Sequence, residues 1–498
     1  MRRPGILGYN LNVPDTVRKD LLQEFQPIFY PKSVAVVGVS QNPTKIGTVW
    51  FKSILDAGFI GSVYPINPRG GELFGCKIYP NLTAIPDTVD YVIVSIPREN
   101  VLELLDDAVT KKIKAVHFFT GGFSEANDAF GLDLEKELIS KAREGGFRVI
   151  GPNCLGAYSV EGRLPYGPVF RKTEQGTASF ITQSGGVGEK LIELGSARGI
   201  KFNKGVSFGN GVDLDSPDFL EYLAVDQESL IVGAYFEGTR NGRRLVKAIQ
   251  KLAQAKPLVI WKAGRTEVGA AAATSHTGSI ASSSAVWSAL IKQAGAIEVN
   301  NVDELTDTLL IFQMLQQPVR KMDGSSIAVL GGLSDGGGGI SVSASDDCAE
   351  AGLNLPKLAK TTREKLTGLI GHIGSILHNP VDVSQSGSNP DIIRKATEII
   401  LDDPNIDLLI IQEDAGILLH YLPMELSRNL NNVFIEVKKK KQKPIILVMP
   451  PGTNDLERSE LEQELLQASI PVFPSMERAA KAIMNFNLYW QHRSLTQG

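Results

Sequence analysis

The 498-residue chain is 43% hydrophobic and 21% charged, with a formal net charge of −4. This composition fits about three globular domains of ~150 residues each and excludes a broad basic surface for nucleic acid. Cys76, Cys154 and Cys348 can form neither a disulfide framework nor a metal site by their spacing, and no run of ~18 apolar residues occurs, so a cytoplasmic protein without a membrane span or a metal of its own is expected.

Residues 1–28 read as a polar N-terminal arm with one short helix, Thr16 to Glu24, and no apolar signal core. Strand and helix patterns then alternate. Strands are expected at 33–38, 63–67, 91–96, 115–119 and 148–150, with helices at 46–57, 100–111 and 132–144 between them. A second series has strands at 177–182, 204–208, 230–236 and 258–261, a helix opening at Gly188 and another at 243–254. Residues 316–326 have linker composition. A third series follows, with strands at 326–330, 408–411 and 444–449, and the basic run Lys438–Lys443 reads as the solvated end of a helix. Continuous Val/Ile strands separated by helices predict parallel, doubly wound sheets.

In such sheets, ligands sit where strands hand over to helices at the carboxyl edge. The first such turn, Val37 to Gly47, contains Gly38, Ser40 and Lys45. Helix N-terminal amides beside a lysine suit a phosphate. The turn is not G-x-G-x-x-G, and the next strand ends in Asn67-Pro68-Arg69-Gly70 instead of an acid, which argues for a phosphorylated nucleotide ligand over NAD. An ordinary βα turn with a surface arginine is the alternative. Ser95-Ile96-Pro97 and Thr120-Gly121-Gly122-Phe123 face the same edge. Gly151 to Gly156 marks the passage into the second series; its Cys154 has no base near it in sequence and reads as a buried structural thiol.

Gln183-Ser184-Gly185-Gly186-Val187-Gly188 follows a strand and opens a helix, so its amides could hold a phosphate. Glu237 closes a hydrophobic strand and could orient an imidazole, or could instead cap or pair with an arginine such as Arg240. His276 lies among small residues, Ala270 to Ala281. Such a setting leaves an imidazole reachable by a bulky anion, and neutral imidazole is a competent nucleophile for phosphoryl groups. A helix start with His276 beside a Ser/Thr cap is the other reading. No G-x-x-x-x-G-K-[ST] segment is present, and the loop Gly331 to Gly339 lacks the lysine of an ATP site.

Taken in order, these loops resemble the acyl-CoA synthetases that form a nucleoside diphosphate, a family that includes succinyl-CoA synthetase and the ADP-forming acetate–CoA ligases. Ser275-His276-Thr277-Gly278-Ser279 is similar to the family's phosphohistidine loop, and Glu237-Gly238 to its histidine-partner glutamate. Gly151–Gly156, Ser184–Gly186, Asn379–Val383 and Pro471–Arg478 also match. The resemblance implies an α/β chain: the arm (1–28), a Rossmann-like CoA-binding domain (29–152), a flavodoxin-like domain with the phosphohistidine loop (153–320) and a second flavodoxin-like domain (324–498).

It further implies that CoA, a substrate, lies on Gly38, Ser40, Lys45, Asn67, Arg69, Ile96, Thr120, Gly121, Gly122, Phe123 and Asn153. Ser184, Gly185 and Gly186 would hold the phosphoryl group, with His276 and Glu237 catalytic. The family's ATP-grasp domains have no counterpart here. A separate ATP-grasp β subunit carrying Mg²⁺ and ADP or ATP is therefore implied, in an α2β2 assembly, and that partner would supply a second helix N-terminus for phosphoryl transfer. The acyl substrate that the resemblance implies is a small carboxylic acid. A CoA-binding regulatory protein without catalysis and an NAD-dependent dehydrogenase are the competing functions. The first has no use for both His276 and Glu237, and the second is opposed by the Asn67-Pro68-Arg69 ending.

Overall fold

The computed structural model describes residues 15–168, 174–271, 284–315, 326–333, 338–371, 376–383, 386–421 and 423–497. His276, the stretch 316–325 and residues 334–337 of the Gly331–Gly339 loop lie outside them. The chain divides into two compact units, residues 1–196 with 200–305 and residues 197–199 with 306–498.

The first unit holds two sheets. In the first, β1 (Ser33–Val37) lies between β2 (Ser62–Ile66) and β5 (Tyr91–Val94); β6 (Ala115–Phe118) and β7 (Arg148–Ile150) continue past β5, all parallel. β3 (Gly71–Leu73) and β4 (Cys76–Ile78) form a separate hairpin. Every residue of β1, β5 and β6 is buried, as strands covered on both faces require. The order reverses at β1, so a crevice opens between the carboxyl ends of β1 and β5. Gly38 lines it with φ +103°, and a Cβ there would lie 2.5 Å from the Ser95 carbonyl oxygen, so only glycine fits.

The second sheet runs β13 (Ile297–Val299), β12 (Leu258–Lys262), β11 (Ile231–Phe236), β9 (Ala178–Thr182), β10 (Phe202–Ser207) and β8 (Gly156–Ser159). Only β8, at the edge, is antiparallel. Its reversal point falls between β9 and β11, which places the turns after Thr182 and Phe236 side by side.

Several features depart from the expectations. Helix α1 (Asp15–Phe29) runs five residues past Glu24, even through Pro27. Its Phe25 and Phe29 stack on Tyr222, with centroids 4.6 and 5.1 Å apart, and Phe25 meets Phe219 edge-on. These tertiary contacts offset the poor helix propensity of proline. The unexpected helix Ser216–Val225, which carries Phe219 and Tyr222, starts on a capping box between Asp215 and Asp218. The helix Gly185–Ala197 starts at Gly185 and not Gly188, because Ser184 takes the N-cap place: its carbonyl accepts from Gly188 N at 3.3 Å.

The second unit is built on one sheet: β15 (Ile376–Leu377), β16 (Val381–Asp382), β14 (Ile327–Gly331), β17 (Leu408–Gln412), β18 (Ile445–Val448) and β19 (Val472–Phe473). β15 and β16 are antiparallel and the rest parallel. The helix Met424–Lys440 ends in Lys438, Lys439 and Lys440, the basic helix end expected from sequence, where cations favour the helix dipole. Among the described residues, no helix is long and apolar enough to cross a membrane.

Candidate active site

The reversal point of the second sheet opens on a cavity of about 310 Å³, which the end of β6 in the first sheet also lines. The first sheet contributes Phe119, and the loop into the second adds Asn153, Cys154 and Leu155. The second sheet contributes Gln183, Ser184, Gly185, Gly186, Gly209, Asn210 and Glu237. The expected phosphate turn, the expected carboxylate and Asn153 therefore line one space. The first-turn amides of the helix Gly185–Ala197 have no intrahelical acceptor, and their dipole end favours an anion.

Glu237 stands one residue beyond β11. Its backbone N–H and that of Gly238 both donate to Gln183 Oε1, at 2.8 and 3.0 Å, and its carboxylate accepts from Tyr235 Oη at 3.2 Å. Lys262 Nζ donates to the Glu237 carbonyl at 2.9 Å and to that of Ala263, and burial lowers its pKa below the usual lysine range. Arg240 does not pair with Glu237. Its guanidinium lies 2.9 Å from Glu135 Oε1 and 3.0 Å from the Asn210 carbonyl. Cys154 is 4% exposed, and burial pushes its thiol up, which suits the structural role expected of it and not that of a nucleophile.

The residues expected for CoA cluster at the first sheet's crevice and the adjoining loops. The helix Ile46–Asp56 begins directly after Lys45, whose side chain makes no cap. Gly47 must be glycine, since a Cβ would lie 2.4 Å from the Gly38 carbonyl oxygen. Ser40 is fixed by Thr48: its N–H donates to Thr48 Oγ1 at 2.9 Å, and its carbonyl accepts from the same hydroxyl at 2.8 Å. Asn67 donates to the Val39 carbonyl at 2.6 Å and accepts from Arg69 N at 2.9 Å, leaving Lys45 and Arg69 exposed. Thr120 Oγ1 donates to the Ile96 carbonyl at 2.7 Å, and Asn153 N to the Thr120 carbonyl at 3.1 Å. Gly122 carries φ +92°, and Phe123 is fully buried, so Phe123 shapes the loop from beneath.

Sequence reasoning missed Phe119, Gly209 and Asn210 among the lining residues and named Gln183 only as part of the phosphate turn. Gly209-Asn210-Gly211 follows a strand and is a turn signal in its own right. The role of Gln183 was invisible, because its acceptor oxygen serves backbone donors 54 and 55 residues away.

Three family models match the chain: a CoA binding domain over residues 32–159, a succinyl-CoA ligase like flavodoxin domain over 175–312 and a Ligase-CoA domain over 332–496. The chain is 34% identical over 455 residues to the subunit alpha of ADP-forming acetate–CoA ligase II from Pyrococcus furiosus, covering 91% of this chain and 95% of that one. It is 35% identical over 362 residues to the ADP-forming acetate–CoA ligase of Methanocaldococcus jannaschii, but that match spans 72% of this chain and only 49% of the relative. Among solved structures, the dinucleotide forming acetyl-coenzyme A synthetase 1 of Ca. Korarchaeum cryptofilum, in complex with phosphate and ADP, superposes with a TM-score of 0.82 at 31% identity, over 94% of this chain and 97% of that one. The cavity, the three matched domains and these relatives lead to one conclusion: the chain belongs to the ADP-forming acid–CoA ligase family and is an enzyme subunit of that family.

Proposed function

We propose that this chain is the α subunit of an enzyme that interconverts acyl-CoA, ADP and phosphate with a carboxylic acid, CoA and ATP. The observation that carries this reading is the cavity in which the Ser184–Gly186 turn, Glu237 and Asn153 meet. Phosphate held on the open amides of the turn attacks the thioester carbonyl. The C–S bond breaks, CoA leaves as its thiol, and an acyl phosphate forms. The His276 imidazole then attacks phosphorus and the acid leaves as carboxylate, so the phosphoryl group rests on nitrogen. Glu237 holds the other imidazole nitrogen, which fixes the tautomer and raises the basicity of the attacking one. CoA lies on the Gly38–Lys45 turn, Asn67–Arg69, Ile96 and the Thr120–Phe123 loop, with Lys45 and Arg69 facing its phosphates.

A separate partner subunit completes the reaction. The chain covers 95% of the Pyrococcus furiosus relative, which is itself named a subunit alpha. We assign the nucleotide step to an ATP-grasp β subunit holding ADP or ATP with Mg²⁺, in an α2β2 assembly. Among the described residues of this chain, no group of three or more His, Cys, Asp or Glu is placed to hold a metal ion. None of the relatives named above is a dehydrogenase or a non-catalytic regulator.

The test is phosphorylation. With the partner, ATP and Mg²⁺, His276 should carry acid-labile phosphate. His276→Ala should abolish net turnover while CoA binding stays near that of the wild type. Full ligase activity in His276→Ala, or robust ATP-dependent activity from this chain alone, refutes the assignment.

A further inference from the structure

We infer that a closed ring of hydrogen bonds ties the Thr120–Phe123 loop to the Glu237 turn, and that Glu125, Asn210 and Arg240 are its positioning residues. The inference rests on the reading of that loop as part of the CoA site. The ring begins at Glu125, two residues past the loop. Its Oε1 accepts from Gly122 N at 2.6 Å and its Oε2 from Asn210 Nδ2. The Asn210 carbonyl accepts from Arg240 Nε at 3.0 Å, and Arg240 Nη2 lies 2.9 Å from Glu135 Oε1. Glu135 Oε2 accepts from Ser124 Oγ, and Ser124 is peptide-bonded to Glu125, which closes the ring.

The geometry gives the ring a direction. The Gly122 peptide is held from both sides: its N–H by Glu125, and its carbonyl by Arg98 Nη1 at 2.9 Å, with Arg98 itself anchored on Asp128 at 2.8 Å. A Cβ on Gly121 would lie 3.2 Å from Glu125 Oε1 and 3.4 Å from Asn153 Oδ1, so the Glu125 carboxylate stands where the loop meets the cavity. Asn210 lines that cavity. Arg240 is three residues beyond Glu237, and the turn between them is pinned by Asp215, which accepts from Thr239 Oγ1 at 3.1 Å and Arg240 N at 3.2 Å. The loop that receives CoA and the turn that carries Glu237 thus share a set of hydrogen bonds, and disturbing one end must displace the other. Both Glu125 oxygens are occupied by donors, so it acts as an anchor.

The test exchanges the polarity of one bond. Asn210→Asp sets two carboxylates face to face, and no amide flip can relieve the clash. Adding Glu125→Gln supplies an amide donor to the new carboxylate, keeps the Gly122 bond through its remaining oxygen and restores the net charge. Calorimetry with CoA should show the dissociation constant raised about tenfold in Asn210→Asp and brought back to within about threefold of wild type in the double variant, as coupled neighbours behave. In the assembled enzyme the single variant should raise KM for CoA and, because the same ring holds the Glu237 turn, also slow phosphorylation of His276, and the double variant should recover both. Arg240→Gln cuts the ring on its far side, keeps the test decisive if Asn210→Asp fails to fold, and should also weaken CoA by several-fold. An unchanged dissociation constant in the variants that fold, or a double variant as weak as Asn210→Asp, overturns the coupling. Wild-type chain that binds no CoA removes the underlying reading, and the coupling with it.

Discussion

Glu413 gives a pH dependence that can be worked from its surroundings. It follows β17 with its backbone N–H on the Val448 carbonyl at 2.9 Å. The side chain is 0% exposed, and neither carboxyl oxygen has a hydrogen-bond partner among the described residues. Burial first, and then the charge of Asp414, push its carboxyl up to about 8. An unfolded chain ionises glutamate near pH ~4.3. The folded state therefore keeps the proton to a higher pH than the unfolded one. Its stability is fully present below about pH 4.3 and is lost as pH rises towards about 8. At neutral pH the unfolded state has gained about 2.7 pH units of ionisation at 1.36 kcal/mol each, so the penalty is about 3–4 kcal/mol, most of it developed above about pH 4.5. Glu413→Gln keeps the shape and removes the titration. Whatever the amide contributes, it contributes at every pH. Urea denaturation should show the variant gaining about 3 kcal/mol on wild type between about pH 4.5 and pH 7, with a plateau above about pH 8. A difference that stays constant across that range would refute the argument.

Other expectations follow from the first unit. Glu237→Gln should fold normally and slow phosphorylation of His276 by roughly 10²-fold, as loss of a positioned acid–base partner does; unaltered rapid-quench kinetics would leave Glu237 a structural residue. Gly209 has φ +52° and a Cβ there would lie 2.2 Å from the Pro152 carbonyl oxygen, so Gly209→Ala should lower stability by about 1–3 kcal/mol in chemical denaturation. Calorimetry should show CoA binding and no NAD binding to the wild-type chain. Lys45→Ala and Arg69→Ala should each weaken CoA, more so at low ionic strength, because exposed cations act through screened charge.

The strands most readable in the sequence are those whose burial on both faces leaves unbroken apolar runs, such as Ser33–Val37, Tyr91–Val94 and Leu408–Gln412. β8 was not legible, because Gly156-Ala157-Tyr158-Ser159 has neither an apolar run nor an alternation, and it becomes a strand by pairing with β10. The two-residue strands β15, β16 and β19 are too short to leave a pattern. Lys204, expected to open a strand, is 0% exposed within it: Asp226 and Glu228 pair with it at 3.1 and 2.9 Å, and the Tyr30 ring lies 4.9 Å from its ammonium. Those partners are remote in sequence, so local composition could not announce them. The same holds for Asn210 and Glu125, 85 residues apart. Glu237 and the Ser184–Gly186 turn were legible for the opposite reason. Each sits at a strand end, and the parallel topology alone brings strand ends to one edge.

On the proposed reading, the make-up of the cavity suits a phosphoryl group that passes through it in both directions. Its eleven described lining residues include no lysine, arginine or histidine, and one carboxylate, Glu237. A bidentate guanidinium would hold phosphate strongly and would have to release it at every turnover. Backbone amides at a helix start offer only about half a positive charge, spread over several donors, and the nearby carboxylate opposes even that. Fixed cations are instead found at the outer crevice, where Lys45 and Arg69 stand exposed beside the first sheet. On the proposed reading, firm anion binding falls on CoA, whose phosphates stay intact, and weak binding on the phosphoryl group, which does not. Placing a guanidinium in the cavity by Asn210→Arg should then tighten inorganic phosphate while lowering kcat in both directions. An arginine variant that binds phosphate more tightly and turns over at the wild-type rate would show that release from this cavity does not limit the reaction.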